Sequence, residues 1–309
     1  MEITHILSDI VSKNASDIFI VAGRPLSIKI NNVIVNENDT CLTPDMTKMY
    51  IAAIYRLAND RSMENVLREG DDDFSFAIKD LSRFRASVYK QRGSLSAVIR
   101  VIQFKLPDPD KIHIPQAVMR LADYQKGLVL VTGPSGSGKS TTLACIIDKI
   151  NSTRNNHIIT LEEPIEFLHP HKKSIVSQRE IALDTDNYLT ALRAALRQTP
   201  DVILIGELRD PETISVAMTA AETGHLVIST LHTLGAANTI DRIIDVFGPQ
   251  KQVQIRLQLS MVLQAVVSQQ LLQVRDGSLV PAFEVMTATT AIRTMIREAK
   301  THQIGSVIL

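Results

Sequence analysis

Ile3, Ile6, Leu7, Ile10 and Val11 recur at steps of three and four, so the chain opens on a helix with one apolar face. Apolar runs at 18–22 and 26–30 read as strands, and Asn31-Asn32 offers a tight turn into Val33-Ile34-Val35, a hairpin. A helical stretch over 47–57 carries Met49, Ile51, Ala52, Ile54 and Tyr55. The acidic triplet Asp71-Asp72-Asp73 predicts a solvated turn. Strands follow at 74–78, 83–90 and 94–102. In the second of these, Phe84, Ala86, Val88 and Lys90 alternate with Arg83, Arg85, Ser87 and Tyr89, the period of a half-buried strand. The pattern is that of an α+β domain on an antiparallel sheet. Residues 104–110 then predict a linker, because two X-Pro pairs disfavour helix and the composition turns polar.

Beyond the linker the pattern changes. Strands at 127–132, 157–161, 201–205 and 225–230 alternate with helices at 139–151, 187–198, 211–222 and 236–246, which predicts an α/β domain with a parallel sheet and helices packed on it. Pro211 suits a first helical turn, with Asp210 as its cap. After Gly248-Pro249, residues 251–272 predict one long, mostly apolar, buried helix.

Composition narrows the classes of function. The 309 residues have room for two domains, and 45% apolar with 21% charged residues describe an ordinary globular protein. Formal charge is zero, so no global field recruits nucleic acid or an anionic membrane. Cys41 and Cys145 are far apart in sequence, which fits a reducing compartment and argues against a structural zinc. The N-terminus has no secretory signal pattern, and no apolar run approaches the roughly 20 residues needed to cross a bilayer.

The sharpest chemical signal is Gly133-Pro134-Ser135-Gly136-Ser137-Gly138-Lys139-Ser140-Thr141, a G-x-x-x-x-G-K-[ST] phosphate loop. It lies between a predicted strand and a predicted helix, so backbone N–H groups would converge on a polyphosphate. Lys139 is expected on the β- and γ-phosphates of ATP, and the Ser140 hydroxyl on Mg²⁺. Ligand sites in such sheets lie at the carboxyl ends of strands, which directs attention to the acids there. Gly206-Glu207 follows the apolar run Val202-Ile203-Leu204-Ile205, placing Glu207 where a Walker B acid belongs, to meet Mg²⁺ through water or to orient a water itself. In Glu162-Glu163-Pro164-Ile165-Glu166, Pro164 ends a strand and Glu166 is the candidate base for the attacking water. Alone, each carboxylate would be a cap or a surface ion pair; two beside one phosphate loop favour chemistry. His232 ends the strand that begins near His225 and is expected beside the γ-phosphate, whereas His225 stays open between packing and function. Arg83, Arg85, Arg92 and Arg100 would make a solvated sheet face, but next to an NTP site they become candidates for neutralising phosphate charge. Of these, Arg83, Arg85 and Arg100 have no evident acidic partner in the local sequence.

Together these motifs resemble the hexameric secretion ATPases, and within them the type IV pilus retraction ATPases of twitching motility. The resemblance rests on the phosphate loop, the acidic box 159–167, the Walker B segment 205–210, the histidine box 219–233, and Ala291-Ile292-Arg293-Thr294-Met295-Ile296-Arg297-Glu298. The last is similar to the AIRNLIRE segment typical of retraction motors. The family implies a PAS-like N-terminal domain (1–103), a linker (104–117) and a RecA-like P-loop NTPase domain (118–309). It implies Glu166 as catalytic carboxylate, Glu207 as Walker B acid, Glu163 in the nucleotide site, His225 and His232 as histidine-box residues, and Arg85 and Arg100, backed by Arg83 and Arg92, as nucleotide-sensing arginines.

It further implies a homo-hexamer at the cytoplasmic face of the inner membrane, at the pilus base. There it would act on a membrane-embedded platform protein and alongside related pilus ATPases, with no nucleic acid partner and no membrane insertion of its own. Glu163 stands where an aspartate is usual, Thr294-Met295 replaces Asn-Leu, and Leu309 falls short of the family's usual end, so the last helices are expected to be missing. A pilus-assembly or type II secretion ATPase, a nucleic-acid translocase and a non-catalytic regulatory subunit are the rival readings. The first typically carries a tetracysteine insertion, for which two cysteines do not suffice; 4% aromatics and no tryptophan speak against the second.

Overall fold

A computed structural model describes residues 3–30, 33–79, 81–102, 106–274 and 279–308. The chain divides into two compact units, Met1–Lys105 and Leu106–Leu309. The Asn31-Asn32 turn and residues 104–105 of the expected linker lie outside the described residues.

In the first unit, α1 (Ile3–Ser12), β1 (Asp17–Ile20), β2 (Pro25–Ile30) and β3 (Val33–Cys41) are followed by α2 (Pro44–Leu57), α3 (Glu64–Glu69), β4 (Asp71–Ile78), β5 (Ser82–Gln91) and β6 (Ser94–Ile102). The strands form one sheet in the order β3-β2-β1-β6-β5-β4, every neighbour antiparallel. Thr43 caps α2 through its side chain, and Pro44 supplies the fixed φ of the first turn. Ile51, Ile54 and Tyr55 of α2 share a core with Phe74, Phe84, Val88 and Ile99 of the sheet. On β5 the alternation read from the sequence is observed: Phe84, Ala86 and Val88 are fully buried while Arg83, Arg85 and Tyr89 are half-exposed.

The acidic triplet is not a turn. Asp71, Asp72 and Asp73 open β4, and Asp72 is buried. Its carboxylate accepts hydrogen bonds from the Tyr55 hydroxyl (2.9 Å) and from Arg61 Nε and Nη2 (3.0 and 2.8 Å). Strand periodicity sends the middle member of the triplet inward, and partners distant in sequence satisfy its charge there.

The second unit contains α4 (Gln116–Met119), a 3₁₀ turn, β7 (Gly127–Thr132), α5 (Lys139–Thr153), β8 (His157–Glu162), β9 (Ile175–Glu180), α6 (Tyr188–Ala195) and β10 (Val202–Ile205). There follow α7 (Pro211–Glu222), β11 (Leu226–Leu231), α8 (Ala236–Asp245), α9 (Pro249–Val262), β12 (Leu263–Gln273), β13 (Leu279–Thr287) and α10 (Thr290–Arg297). Its sheet runs β13-β12-β7-β11-β10-β8-β9, parallel throughout except for β13. Every residue of β7, β10 and β11 is buried, as strands covered on both faces require. Asp210 caps α7 by accepting from the Thr213 N–H, with Pro211 in the first turn.

The single helix expected over 251–272 breaks into two elements. The chain leaves helical geometry at Leu263, which adopts φ −64° and ψ 128°, and Leu263–Gln273 becomes a strand beside β7. The β-branched pair Val266-Val267 fits a pleated surface with sheet on both sides. Nor is α9 buried all round. Ile255, Leu259 and Val262 face the core, while Val253, Leu257 and Met261, spaced by four, remain exposed. The edge strands β9 and β13, neither of them among the strands expected, complete the sheet.

Removing the Asp72 carboxylate would leave a buried phenol and a guanidinium without their acceptor. Asp72→Ala is therefore expected to destabilise the first unit by about 3 kcal/mol. Urea unfolding of the full chain, followed by circular dichroism, checks this; an unchanged midpoint would show that the triad contributes nothing net.

Candidate active site

Because β7 is parallel to β11, β10 and β8 follow in the sheet, their C-terminal ends meet along one edge. The loop 133–138 leaves β7 at that edge and turns directly into α5. Two of its glycines are demanded by space and conformation. At Gly133 a Cβ would stand 2.1 Å from the Gln269 carbonyl oxygen, and Gly138, the residue before α5, has φ +86°.

Lys139 begins α5 with its side chain folded back. Nζ donates to the carbonyls of Gly133 (2.8 Å) and Pro134 (2.9 Å) and lies 3.4 Å from His232 Nδ1. Burial holds its ammonium below the usual lysine range, with Glu207 and Glu166 pulling the other way. His232 follows β11, and its Nε2 is 3.3 Å from Glu207 Oε1. Its two ring nitrogens face the lysine on one side and the carboxylate on the other. The histidine thus joins the loop lysine to the carboxylate that follows β10.

Glu207 Oε2 accepts from Arg209 Nε at 2.7 Å, and Arg209 Nη1 lies 3.3 Å from Glu163 Oε2, so one guanidinium spans two of the acids. Lys139, Ser140, Glu163, Glu166, Glu207 and His232 all line one cavity of about 300 Å³. Glu166 reaches it on a loop after β8 that β9 holds in place. Gln178 Nε2 donates to the Phe167 carbonyl (2.9 Å), Gln178 Oε1 accepts from the His169 N–H (2.8 Å), and Glu180 Oε2 accepts from the Ile165 N–H (3.3 Å). Glu162, at the end of β8, also lines the cavity and accepts from Thr160 Oγ1 (2.6 Å) and Gln178 Nε2 (3.1 Å). Burial pushes its carboxyl up to about 7, against those hydrogen bonds and with help from the Glu166 and Glu180 charges.

The residues fit the group the loop implies. Two buried polar atoms here, Ser137 Oγ and His169 Nδ1, have no hydrogen-bond partner within the described protein, as expected where a polar ligand or water completes the site. Burial holds the His169 imidazole down at about 4, so it meets any ligand as a neutral group. A serine hydroxyl and a carboxylate are hard oxygen donors of the kind Mg²⁺ takes alongside phosphate.

Not every candidate gathers here. His225 precedes β11 at the opposite end of the sheet, roughly 20 Å along the strand from His232. Its Nδ1 is 2.9 Å from the Ala220 carbonyl oxygen. In the first unit, taken by itself, Arg85 and Arg100 are directly paired across β5 and β6, with Arg83 two residues along. Arg100 does have an acidic partner: the sheet brings Asp17 opposite it, with Nε 3.3 Å from the carboxylate. Arg92 and Gly93, both at positive φ, make the two-residue turn at the far end of the same hairpin, roughly 20 Å from Arg85. Sequence reasoning passed over Glu162, Arg209, Gln178 and Gln269. Arg209 was discoverable, since three acids gathered at one edge call for a counter-cation two residues from Glu207.

A phosphate loop, its lysine and strand-end carboxylates around one cavity define a P-loop ATPase. The chain belongs to the type II/IV secretion system protein family, which it matches over residues 1–303. It is 44% identical over 308 residues to the type IV pilus retraction ATPase PilT of Pseudomonas aeruginosa, covering all of this chain and 89% of that one. It superposes on the crystal structure of the pilus retraction motor PilT with bound ADP at a TM-score of 0.91 and 44% identity, covering 99% of this chain and 89% of the other. The ATPase DotB of Legionella pneumophila follows at 0.82 and 29% identity, with 99% and 87% covered.

The Glu162 carboxyl predicts a pH effect. Its value in the folded chain, about 7, lies above the ordinary 4.5, so between those values the native state holds a proton that the unfolded chain has released. Stability therefore falls as pH rises through this window. Glu162→Gln should flatten that part of the profile and raise stability at pH 8 by on the order of 2 kcal/mol. Thermal melts of both proteins from pH 5 to 8 check this, and parallel profiles would contradict it.

Proposed function

We propose that this chain is the ATP-hydrolysing subunit of a motor that retracts a type IV pilus. The observation that carries the reading is the convergence of Lys139, Glu166 and Glu207 on one cavity, in a chain alike from end to end to a retraction ATPase. Lys139 exchanges the loop carbonyls for the β- and γ-phosphates of ATP. Glu166, exposed to the cavity, takes the proton of the attacking water. Ser140 and Glu207 would hold Mg²⁺, which when bound would offset phosphate charge. His232, set between Lys139 and Glu207, reports to Glu207 whether Lys139 is engaged by the loop or by phosphate. Glu163 belongs to the same site through its shared arginine.

Arg85 and Arg100 are assigned the role of supplying positive charge to phosphate, with Arg83 beside them. Like charges directly opposed on a sheet are destabilising, and the single Asp17 carboxylate beside Arg100 leaves the pair with net positive charge, which suits it to an anion. For Arg92, at the hairpin tip, and for His225, at the far end of β11, support comes only from the sequence motifs. The motor acts as a ring of six at the cytoplasmic face of the inner membrane, turning hydrolysis into movement of a membrane-embedded platform protein. None of the described helices is long and apolar enough to cross a membrane.

Lys139→Ala should abolish ATP binding by the purified protein, measured by calorimetry. Glu166→Gln should bind ATP but hydrolyse it about 10²–10⁴-fold more slowly; wild-type turnover would move the base elsewhere. In α10, Ile292 and Ile296 are buried and Arg293 donates to the carbonyls of Ser260 and Met261, whereas Arg297 is exposed and, among the described residues, hydrogen-bonds only to Thr294 of its own helix. Arg297→Ala is therefore expected to spare hydrolysis and impair retraction. Deleting the gene and watching pili in live cells tests the direction of the motor: excess pili that no longer retract support the proposal, and bald cells oppose it.

A further inference from the structure

Gln269 lies in the middle of β12 with 3% of its surface exposed, and both ends of its side-chain amide are used on the phosphate loop. Nε2 donates to the Ser137 carbonyl at 2.6 Å, and Oε1 accepts from the Thr142 hydroxyl at 2.7 Å. The loop is shaped around this strand. A Cβ at Gly133 would stand 2.1 Å from the Gln269 carbonyl oxygen, and one at Gly138 2.9 Å from the side-chain nitrogen.

The carbonyl and N–H of a trans peptide point in opposite directions. Turning the Ser137 carbonyl onto Gln269 therefore turns the Gly138 N–H away from β12, to the side on which α5 begins and its unpaired N–H groups collect an anion. The Thr142 hydroxyl fixes the amide in this sense. A reversed amide would set its oxygen against the Ser137 carbonyl, two acceptors in contact in a buried place, at a cost of about 1–3 kcal/mol.

We infer that Gln269 is a positioning residue for nucleotide binding: it locks the Ser137–Gly138 peptide with its N–H facing the phosphates. It touches no phosphate itself. Its effect falls on the diphosphate part shared by ATP and ADP, and so on affinity more than on the chemical step. The inference rests on the phosphate-loop reading above.

The test compares full-length wild type, Gln269→Ala, Gln269→Glu, Thr142→Val and Lys139→Ala, each checked for folding by circular dichroism and thermal melting. A fluorescent ADP analogue gives Kd, and steady-state ATP hydrolysis gives KM and kcat. Gln269→Ala is expected to raise Kd and KM about 10-fold while kcat changes by less than about 3-fold. Thr142→Val, which frees the amide to reverse, should show a smaller rise in Kd. Gln269→Glu adds a reading that a purely structural role would not produce. The introduced carboxyl can donate to the Ser137 carbonyl only when protonated, and burial raises its pKa. Ser137, Gly138 and Thr142, which meet this side chain, do not titrate, and Lys139 is the adjacent loop residue that carries charge. The ratio of mutant to wild-type Kd should therefore fall towards one as pH drops from 8 to 6.

A folded Gln269→Ala protein with wild-type Kd would overturn the inference, as would a Gln269→Glu ratio that ignores pH. If Gln269→Ala fails to fold, the other two variants decide. Lys139→Ala separates the two levels: if it still binds nucleotide, the phosphate-loop reading falls; if it alone loses binding, only Gln269 is wrongly assigned.

Discussion

Between Gly133 and the main chain of Gln269 there is no room for a side chain, because the first atom of one would stand 2.1 Å from a carbonyl oxygen. That contact presses the phosphate loop against β12 on one side while α5 receives it on the other. A loop free to wander could not aim several N–H groups at one phosphate; a loop wedged between strand and helix has little choice. The parallel order of β7, β11, β10 and β8 then sets the distance from the lysine to each carboxylate, since all of these groups hang from neighbouring strand ends. Geometry that a single loop could not hold is held by the sheet.

Charge within the cavity is balanced at short range. Lys139, Arg209 and His232 stand among Glu163, Glu166 and Glu207, with Glu162 behind them, its carboxyl pushed up to about 7 by burial. An array of this kind tolerates burial because Glu162, Glu163 and Glu207 each accept from a cation or a neutral donor. It also responds to a newcomer. A polyphosphate brings negative charge into a site whose cations already serve carboxylates, so its arrival redistributes partners rather than adding to them.

What the sequence disclosed and what it hid follow a physical rule. The phosphate loop, Glu166, Glu207 and His232 were legible because each sits at a punctuation mark: a glycine run, a proline, the end of a buried apolar strand. The central strands were legible for the same reason, being short, apolar and bounded by turn residues. Hidden were the residues whose importance comes from neighbours far along the chain. Asp72 looked solvated until Tyr55 and Arg61 were brought to it; Gln178 carried no signal, and Gln269 fell within an expected buried helix, until their strands were laid beside the loops they hold. The break at Leu263 was hidden for a different reason. Apolar residues at 253, 255, 257, 259 and 261 alternate as in a strand, yet that segment is helical, and the strand begins only two residues later. Short-range pattern could not decide there between two elements that tertiary packing separates.

The grip of the Gly133 and Pro134 carbonyls on the Lys139 ammonium carries a consequence for the end of each cycle. On the proposed assignment of Lys139 to phosphate, those two oxygens would compete with nucleotide for the same cation, so a departing diphosphate would leave an amine that is re-housed rather than stranded in a low-dielectric hollow. Holding its own counter-ligand in reserve would weaken the loop's hunger for nucleotide and let the subunit let go, which a machine that must fire repeatedly needs as much as tight capture.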